Sequence, residues 1–345
     1  MNIILSDFTN VDMNNVKIIW IGFGDPDSQP TPGGTGTVYF DDIRLYPPKC
    51  IAEFGPLADL SGNCVVDYFD VEIMGEEWLK TDKLFDTYTA PSPGPVGWWK
   101  LNEGSGSDAA DDGSGNNDGV VQGSYDWVTG YDGNSAIEFD SGRVLVPDAA
   151  ELRPIDTVSV SAWINLYDEQ SNARVVVKGP DNDESYLLET NGEDTLKFLI
   201  RDDCPGDDCN DYFVENQGLS IGEWTHVAGT FDDTWMRLYI NAVLVAESND
   251  ANGILLSQQD TAGLGIGNRS DDDDKPFVGT IDDVQVYDYA LSEAQIVYVA
   301  TDGDGHVPLT SIANLSNNES PGSQAVNLKD FAVLGDAWLV EKLWP

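Results

Sequence analysis

The chain has 345 residues, which at about 100 to 200 residues per domain makes two or three domains, and it carries 61 Asp and Glu against 17 Lys and Arg, a formal charge of −44. That charge repels phosphate backbones and anionic headgroups, and no Lys/Arg cluster offers a local exception, so nucleic acid and membrane surfaces are excluded as partners. A hydrophobic share of 41% argues against disorder, and no apolar run reaches the ~18 residues of a spanning helix. Cations, Ca2+ above all, and neutral ligands such as sugars remain as partners.

Residues 1–48 read as three short strands around Ile3 to Leu5, Val16 to Gly22 and Thr37 to Tyr46, with turn-rich loops between them. Ile21-Gly22-Phe23-Gly24-Asp25 and Gly36 to Tyr46 resemble the last strands of a galactose-binding-like jelly roll. The expectation is a truncated carbohydrate-binding-like domain, with Met1 an internal position of a longer secreted chain. Four cysteines, Cys50, Cys64, Cys204 and Cys209, allow three pairings, of which the local one, Cys50 with Cys64 and Cys204 with Cys209, is the most economical. Disulfides imply an oxidising, extracellular or cell-surface location.

A different unit is expected over 49–81. Asp59, Ser61, Asn63, Asp67 and Asp70 occupy alternate and closing positions of a twelve-residue loop, with the carbonyl of Val65 between them. Oxygen donors so spaced wrap a hard cation such as Ca2+, although an Asx-rich turn capping a helix has the same look. The segment Val66 to Leu79 returns as Val326 to Leu339, with Val, Asp, Gly, Trp and Leu in register. A duplicated calcium loop and helix resembles a dockerin, over 58–81 and 319–340, and implies a cohesin-like protein partner. In the second copy (domain 304–345) the upstream loop positions fall on Glu319, Pro321 and Ser323, so a weak or empty site is expected there.

Residues 82–95 end in alternating prolines and form a semi-rigid linker. From 96 to 303 short segments with period-two apolar patterns, such as Val158 to Ile164 and Met236 to Ile240, alternate with turns, and one helical stretch falls at Ser292 to Val299. This predicts a mainly β antiparallel sandwich. Gly97-Trp98-Trp99-Lys100-Leu101-Asn102, Glu223-Trp224-Thr225-His226-Val227 and Gly279-Thr280-Ile281-Asp282-Asp283-Val284 are similar to the laminin-G-like, pentraxin-like branch of concanavalin A-type jelly rolls. A left-handed Ala242 in the hairpin after Asn241 is expected to cost on the order of 1 kcal/mol.

No catalytic residue is assigned. Glu138 and Asp140 begin an acidic pattern that Arg143 fails to complete, whereas retaining glycosidases need two carboxyls ~5 to 5.5 Å apart. The resemblance implies a calcium between terminal strands, for which Asp112, Asn116 and Asp282 are the matching donors; alternatively Asp112 and Asn116 only shape a turn. Trp127, Tyr131, Tyr186, Tyr212 and Trp235 are the aromatic candidates for stacking on sugar rings, while Trp98, Trp163 and Trp224 are expected in the core. The function this points to is a non-catalytic, calcium-stabilised glycan- or polysaccharide-binding or adhesion module with dockerin-like elements. Its alternatives are a glycoside hydrolase of the same fold and a structural spacer. The two repeats are expected to pack as a pair that buries both Trp78 and Trp338, across the terminal strands of the intervening domain.

Overall fold

The computed structural model describes residues 55–180, 183–192, 194–203, 209–258, 262–272, 274–307, 313–316 and 324–341. The strands expected within 1–48 lie outside these. The chain falls into two compact units, one formed by residues up to Leu79 with 313–317 and 326–345, the other by 80–312 with 318–325.

The larger unit consists of two eight-stranded antiparallel sheets whose inner faces share one core. Across the first, the strands run Asp211–Gln217, Thr195–Arg201, Tyr186–Asn191, Ser171–Lys178, Leu264–Ile266, Arg143–Val146, Gly119–Gln122 and Asp108–Ala109. In the second they run Val243–Ser248, Met236–Ile240, Trp224–Phe231, Val158–Leu166, Gly279–Tyr287, Ser135–Phe139 and Tyr125–Thr129, with Gly97–Trp99 added on Gly279–Tyr287. The apolar alternation of each strand supplies the core, where Trp99, Phe139, Phe198, Phe231 and Phe277 are fully buried. The mainly β sandwich expected from the alternation is therefore the fold. Asn241 and Ala242 both take left-handed backbone, with φ of 48° and 60°, in the two-residue turn between Met236–Ile240 and Val243–Ser248.

Helix α1, Tyr68–Glu76, belongs to the smaller unit; α2, Glu293–Ala300, belongs to the larger. Ile296, Val297, Val299 and Ala300 of α2 pack with Tyr239 and Tyr287 on the outer face of the second sheet. That cover buries the Tyr287 end of Gly279–Tyr287, a strand that is buried along its whole length. The ends of the unit meet in a short ribbon, Lys83 opposite Val307 and Leu84 opposite His306, beside a 2.7 Å contact between His306 Nε2 and Asp82 Oδ2.

In the smaller unit α1 and α3, Leu328–Asp336, are capped alike. Asp67 accepts from Phe69 N–H while Asp70 accepts from Asp67 N–H; Asn327 accepts from Lys329 N–H while Asp330 accepts from Asn327 N–H. Such reciprocal boxes satisfy donors the first helical turn leaves open. The two copies then exchange backbone bonds, Leu79 N–H to Val326 O and Leu339 N–H to Val66 O. Ala58, Val66 and Met74 are buried with their counterparts Ala313, Val326 and Leu334. Trp78 and Trp338 are not: they remain 38% and 45% exposed. Each helix ends before its tryptophan, so the 3.6-residue period that would align Trp78 with Met74 has already stopped.

Candidate functional site

A cleft of about 310 Å³ opens on the second sheet, lined by Trp98, Lys100, Asn102, Tyr131, Asp132, Asn134, Asp282, Asp283 and Asp302. Four stretches build it, one of them the turn after α2 that carries Asp302. Period-two alternation on Gly97–Trp99 sends Trp99 into the core and leaves Trp98 half-buried and facing outward, with Lys100 Nζ 4.1 Å from its ring centroid. The placement of Trp98 in the core is thereby corrected: its neighbour Trp99 occupies that position.

The second stretch is the strand Gly279–Tyr287, whose register slips between Asp282 and Gln285. Asp283 adopts φ of 45° at this bulge and accepts hydrogen bonds from Trp98 Nε1 and Gln285 Nε2. Asp282 is 1% exposed and accepts from the backbone of Tyr131 at 3.2 Å and of Asp283 at 2.9 Å. Burial, then repulsion by Asp283 and Asp132, pushes the Asp282 carboxyl up to about 8. Burial also lifts Asp283 to about 6, against the hydrogen bonds that hold it down. The third stretch is the tight loop Gly130 to Asn134. A Cβ at residue 130 would lie 2.2 Å from Asp282 Oδ2, so glycine is required where the loop crosses this carboxylate. Tyr131 Oη donates to Asp302 Oδ2 at 2.8 Å, and its ring stacks on Trp163 at 4.5 Å.

Of the expected donors, Asp282 lies in this cleft, while Asp112 and Asn116 do not line it. Asp112 is paired with Lys100 at 2.9 Å. Asn116 takes φ of 54° within the turn, which its neighbour Asp111 shapes by accepting from Trp98, Gly113 and Asn117 N–H. Among the described residues no three His, Cys, Asp or Glu side chains are arranged to hold a metal ion. Of the aromatic candidates only Tyr131 reaches the cleft. Tyr186 is fully buried and donates to Leu152 O, so it is a core residue with no face for a sugar. Trp127 and Tyr212 pack partly on the core, and Trp235 lies 5.9 Å from Arg237. Glu138 accepts from Tyr167 Oη, and Asp140 is exposed. Trp98, Asn102, Asp132, Asn134, Asp283 and Asp302 were not singled out by the sequence reading; the outward alternation of Trp98, Lys100 and Asn102 was the available signal.

The smaller unit carries the loop 59–70. Asp59 accepts from the N–H groups of Asn63 at 3.1 Å and Cys64 at 2.6 Å. Asp70 is fully buried and accepts from Ser61 N–H at 2.8 Å. Cys64 supplies φ of 67° at the loop's sharp turn. Asp59, Ser61, Asn63, Asp67, Asp70 and the Val65 carbonyl all offer oxygen donors of the hard kind along this loop, although the three carboxylates are not drawn together as a ligand set in this structure. The second loop begins earlier than spacing from the helix suggested. Asp330 Oδ1 accepts from Ser316 N–H at 2.8 Å, as Asp70 does from Ser61, and buried Ala313 matches Ala58. Its leading positions are therefore Asn314 and Ser316, not Glu319 and Pro321; Ala58-Asp59-Leu60-Ser61 against Ala313-Asn314-Leu315-Ser316 was the overlooked signal. No described cysteine is a free thiol, and Cys50 and Cys204 lie outside the described residues.

Residues 138–297 match the family model described as the concanavalin A-like lectin/glucanases superfamily. The larger unit is a concanavalin A-like jelly roll. No curated protein matches the chain. Among solved structures it is similar to domain 4 of AbnA, an extracellular GH43 arabinanase from Geobacillus stearothermophilus in complex with arabinotriose. There the identity is 18%, the TM-score 0.46, and the coverage 64% of this chain and 100% of that one. The binding domain of Paraclostridial Mosquitocidal Protein 1 aligns at 16% identity and TM-score 0.47, over 61% of this chain and 52% of that one. The botulinum neurotoxin serotype D ligand-binding domain in complex with N-acetylneuraminic acid aligns at 14% identity and TM-score 0.45, over 61% and 51%. No helix among the described residues of the jelly roll or the smaller unit is long and apolar enough to cross a membrane.

Proposed function

We propose that the chain is a non-catalytic, extracellular carbohydrate-binding module whose glycan sits in the Trp98–Tyr131 cleft of the jelly roll. The observation that carries this reading is the pairing of two aromatic rings with the amides of Asn102 and Asn134 and with carboxylates in one concavity. Sugar rings offer an apolar face to aromatics and hydroxyls to planar polar groups, which is the chemistry this lining supplies. Glu138 accepts a hydrogen bond from Tyr167 Oη, and Arg143 stands where the acidic pattern begun by Glu138 and Asp140 would continue, which favours binding over turnover.

In the smaller unit the loop 59–70 holds Ca2+ through Asp59, Ser61, Asn63, Val65, Asp67 and Asp70, where the ion would supply order. The dockerin-like pair presents Leu57, Tyr68, Phe69, Leu328 and Phe331, all exposed, to a cohesin-like protein partner. Local disulfides, Cys50 with Cys64 and Cys204 with Cys209, accompany secretion.

Affinity electrophoresis over a polysaccharide panel, run beside a reducing-sugar assay, tests the reading. Retention without release of reducing ends supports a binding module. Turnover abolished by Glu138→Gln would establish a glycoside hydrolase instead, and no retention by any glycan would leave a structural spacer.

A further inference from the structure

Hydrogen bonds fix most of the cleft lining. Tyr131 is stacked on Trp163 and donates to Asp302, Asp132 accepts from Asn134 N–H at 2.7 Å, and Asp283 accepts from Trp98 Nε1 and Gln285 Nε2. Lys100 is held in another way. Its Nζ lies 2.9 Å from Asp112 Oδ2 and 4.1 Å from the centroid of the Trp98 ring, and the side chains of Lys100 and Asp112 are 38% and 54% exposed. An exposed carboxylate and a half-buried ring thus hold an ammonium on a flexible four-carbon stem, which can swing away.

The position of that ammonium matters because of what it covers. Trp98, Lys100 and Asn102 line the same cleft, so Lys100 stands over the ring on the cavity side. One face of Tyr131 is already spent on Trp163, which makes Trp98 the chief platform for a sugar ring. The C–H face of a sugar and an ammonium draw on the same π surface of an indole. At 4.1 Å from the centroid, the ammonium leaves no room for a second group stacked there.

Resting on the glycan-binding reading above, we infer that Lys100 is an autoinhibitory latch on this cleft: pinned by Asp112, it covers the face of Trp98 on which a neutral sugar ring stacks, and binding requires it to leave. An exposed ion pair and an exposed cation–π contact are each modest, so the latch weakens binding by about two- to tenfold rather than closing the site. Salt screens an exposed pair of this kind. A neutral sugar carries no charge of its own, so its affinity should rise with ionic strength as the latch loosens.

The full chain, Lys100→Ala and Asp112→Asn are compared by affinity electrophoresis in linear arabinan, glucomannan and mixed-linkage β-glucan, all neutral polymers. Affinity for the polymer retained best is then followed by calorimetry from about 20 to about 300 mM sodium chloride, a range over which the screening length falls severalfold. Lys100→Ala should bind about two- to tenfold tighter than the parent at low salt, and Asp112→Asn should show part of that gain, both with the circular dichroism unchanged. The parent should tighten as salt rises, and Lys100→Ala should not respond. Adding Trp98→Ala to Lys100→Ala should remove the gain. Retention of Lys100→Ala where the parent is not retained also supports the latch. Equal affinity in Lys100→Ala, or a parent whose affinity is indifferent to salt, overturns the latch and leaves the glycan reading standing. Weaker binding in Lys100→Ala overturns it by making Lys100 a sugar contact, and a gain that survives Trp98→Ala overturns it by placing the effect off the ring. Retention of neither the parent nor Lys100→Ala by any of the three polymers overturns both.

Discussion

Leu79 donates its backbone N–H to the carbonyl of Val326 at 3.0 Å, and Leu339 returns the same bond to Val66 at 2.8 Å. Two segments at opposite ends of the sequence thus close one small unit, each supplying the strand-like contact the other lacks. Neither helix could persist alone, because nine residues fall below the ~12 to 15 at which isolated helices become even marginally stable. The fully or nearly fully buried Met74 and Leu334 hold the pair. Leu334→Ala should cost about 2 to 5 kcal/mol, enough to open so small a core. Hydrogen exchange should then show protection lost in α1 as well as α3, while the jelly roll keeps its own.

The loop 59–70 should order around Ca2+. With Asp59 and Asp70 already aimed inward by their backbone bonds, ion binding is expected to raise the melting temperature of the smaller unit, and EDTA to lower it again. Asp59→Ala should remove the response. A titration of the full chain that finds no Ca2+ uptake at millimolar concentration would exclude the site.

His226 gives the jelly roll a distinct acid sensitivity. Burial depresses its imidazole from 6.5 to about 3. Between those values the unfolded chain takes up a proton that the folded chain refuses, so this residue's contribution is lost as the pH falls below about 6.5 and continues to fall toward 3. The slope from one such group approaches ~1.4 kcal/mol per pH unit. Urea denaturation from pH 4 to 7 should show that slope in the parent chain, and His226→Phe should flatten the difference.

The jelly roll was legible because its strands alternate, and alternation fixes faces. The same rule, applied to Trp98 and Trp99, separates a cleft aromatic from a core one, but only once the partner strand says which face is inward. Asp282 and Asp283 could not be told apart by pattern, since a bulge with positive φ at Asp283 breaks the period there. Tyr131, Asp132 and Asn134 reach the cleft through a loop crossing over Gly130, and Asp302 through the turn after α2. These are contacts between segments far apart in sequence, which no local spacing records. Tyr186 misled because a buried tyrosine whose hydroxyl finds Leu152 O reads in sequence like an exposed one.

Ala242 is a testable weakness in the second sheet. Its φ of 60° places a Cβ in the left-handed region, at a cost of about 1 kcal/mol that glycine would relieve. The methyl group is largely buried, which offsets part of the gain. Ala242→Gly should therefore stabilise by roughly 0.5 kcal/mol in chemical denaturation, with no change in ligand retention.

Whether the glycan sits against Trp98 decides the central claim. Affinity electrophoresis on the polymer retained best should compare the parent chain with Trp98→Ala and with Trp235→Ala, the latter at an aromatic on the Met236–Ile240 edge, away from the cleft lining. Loss of retention in Trp98→Ala alone, with the near-ultraviolet dichroism of the remaining core preserved, is the result the account predicts. Undiminished retention in Trp98→Ala, with loss in Trp235→Ala, would contradict it and move the site to another face of the sandwich.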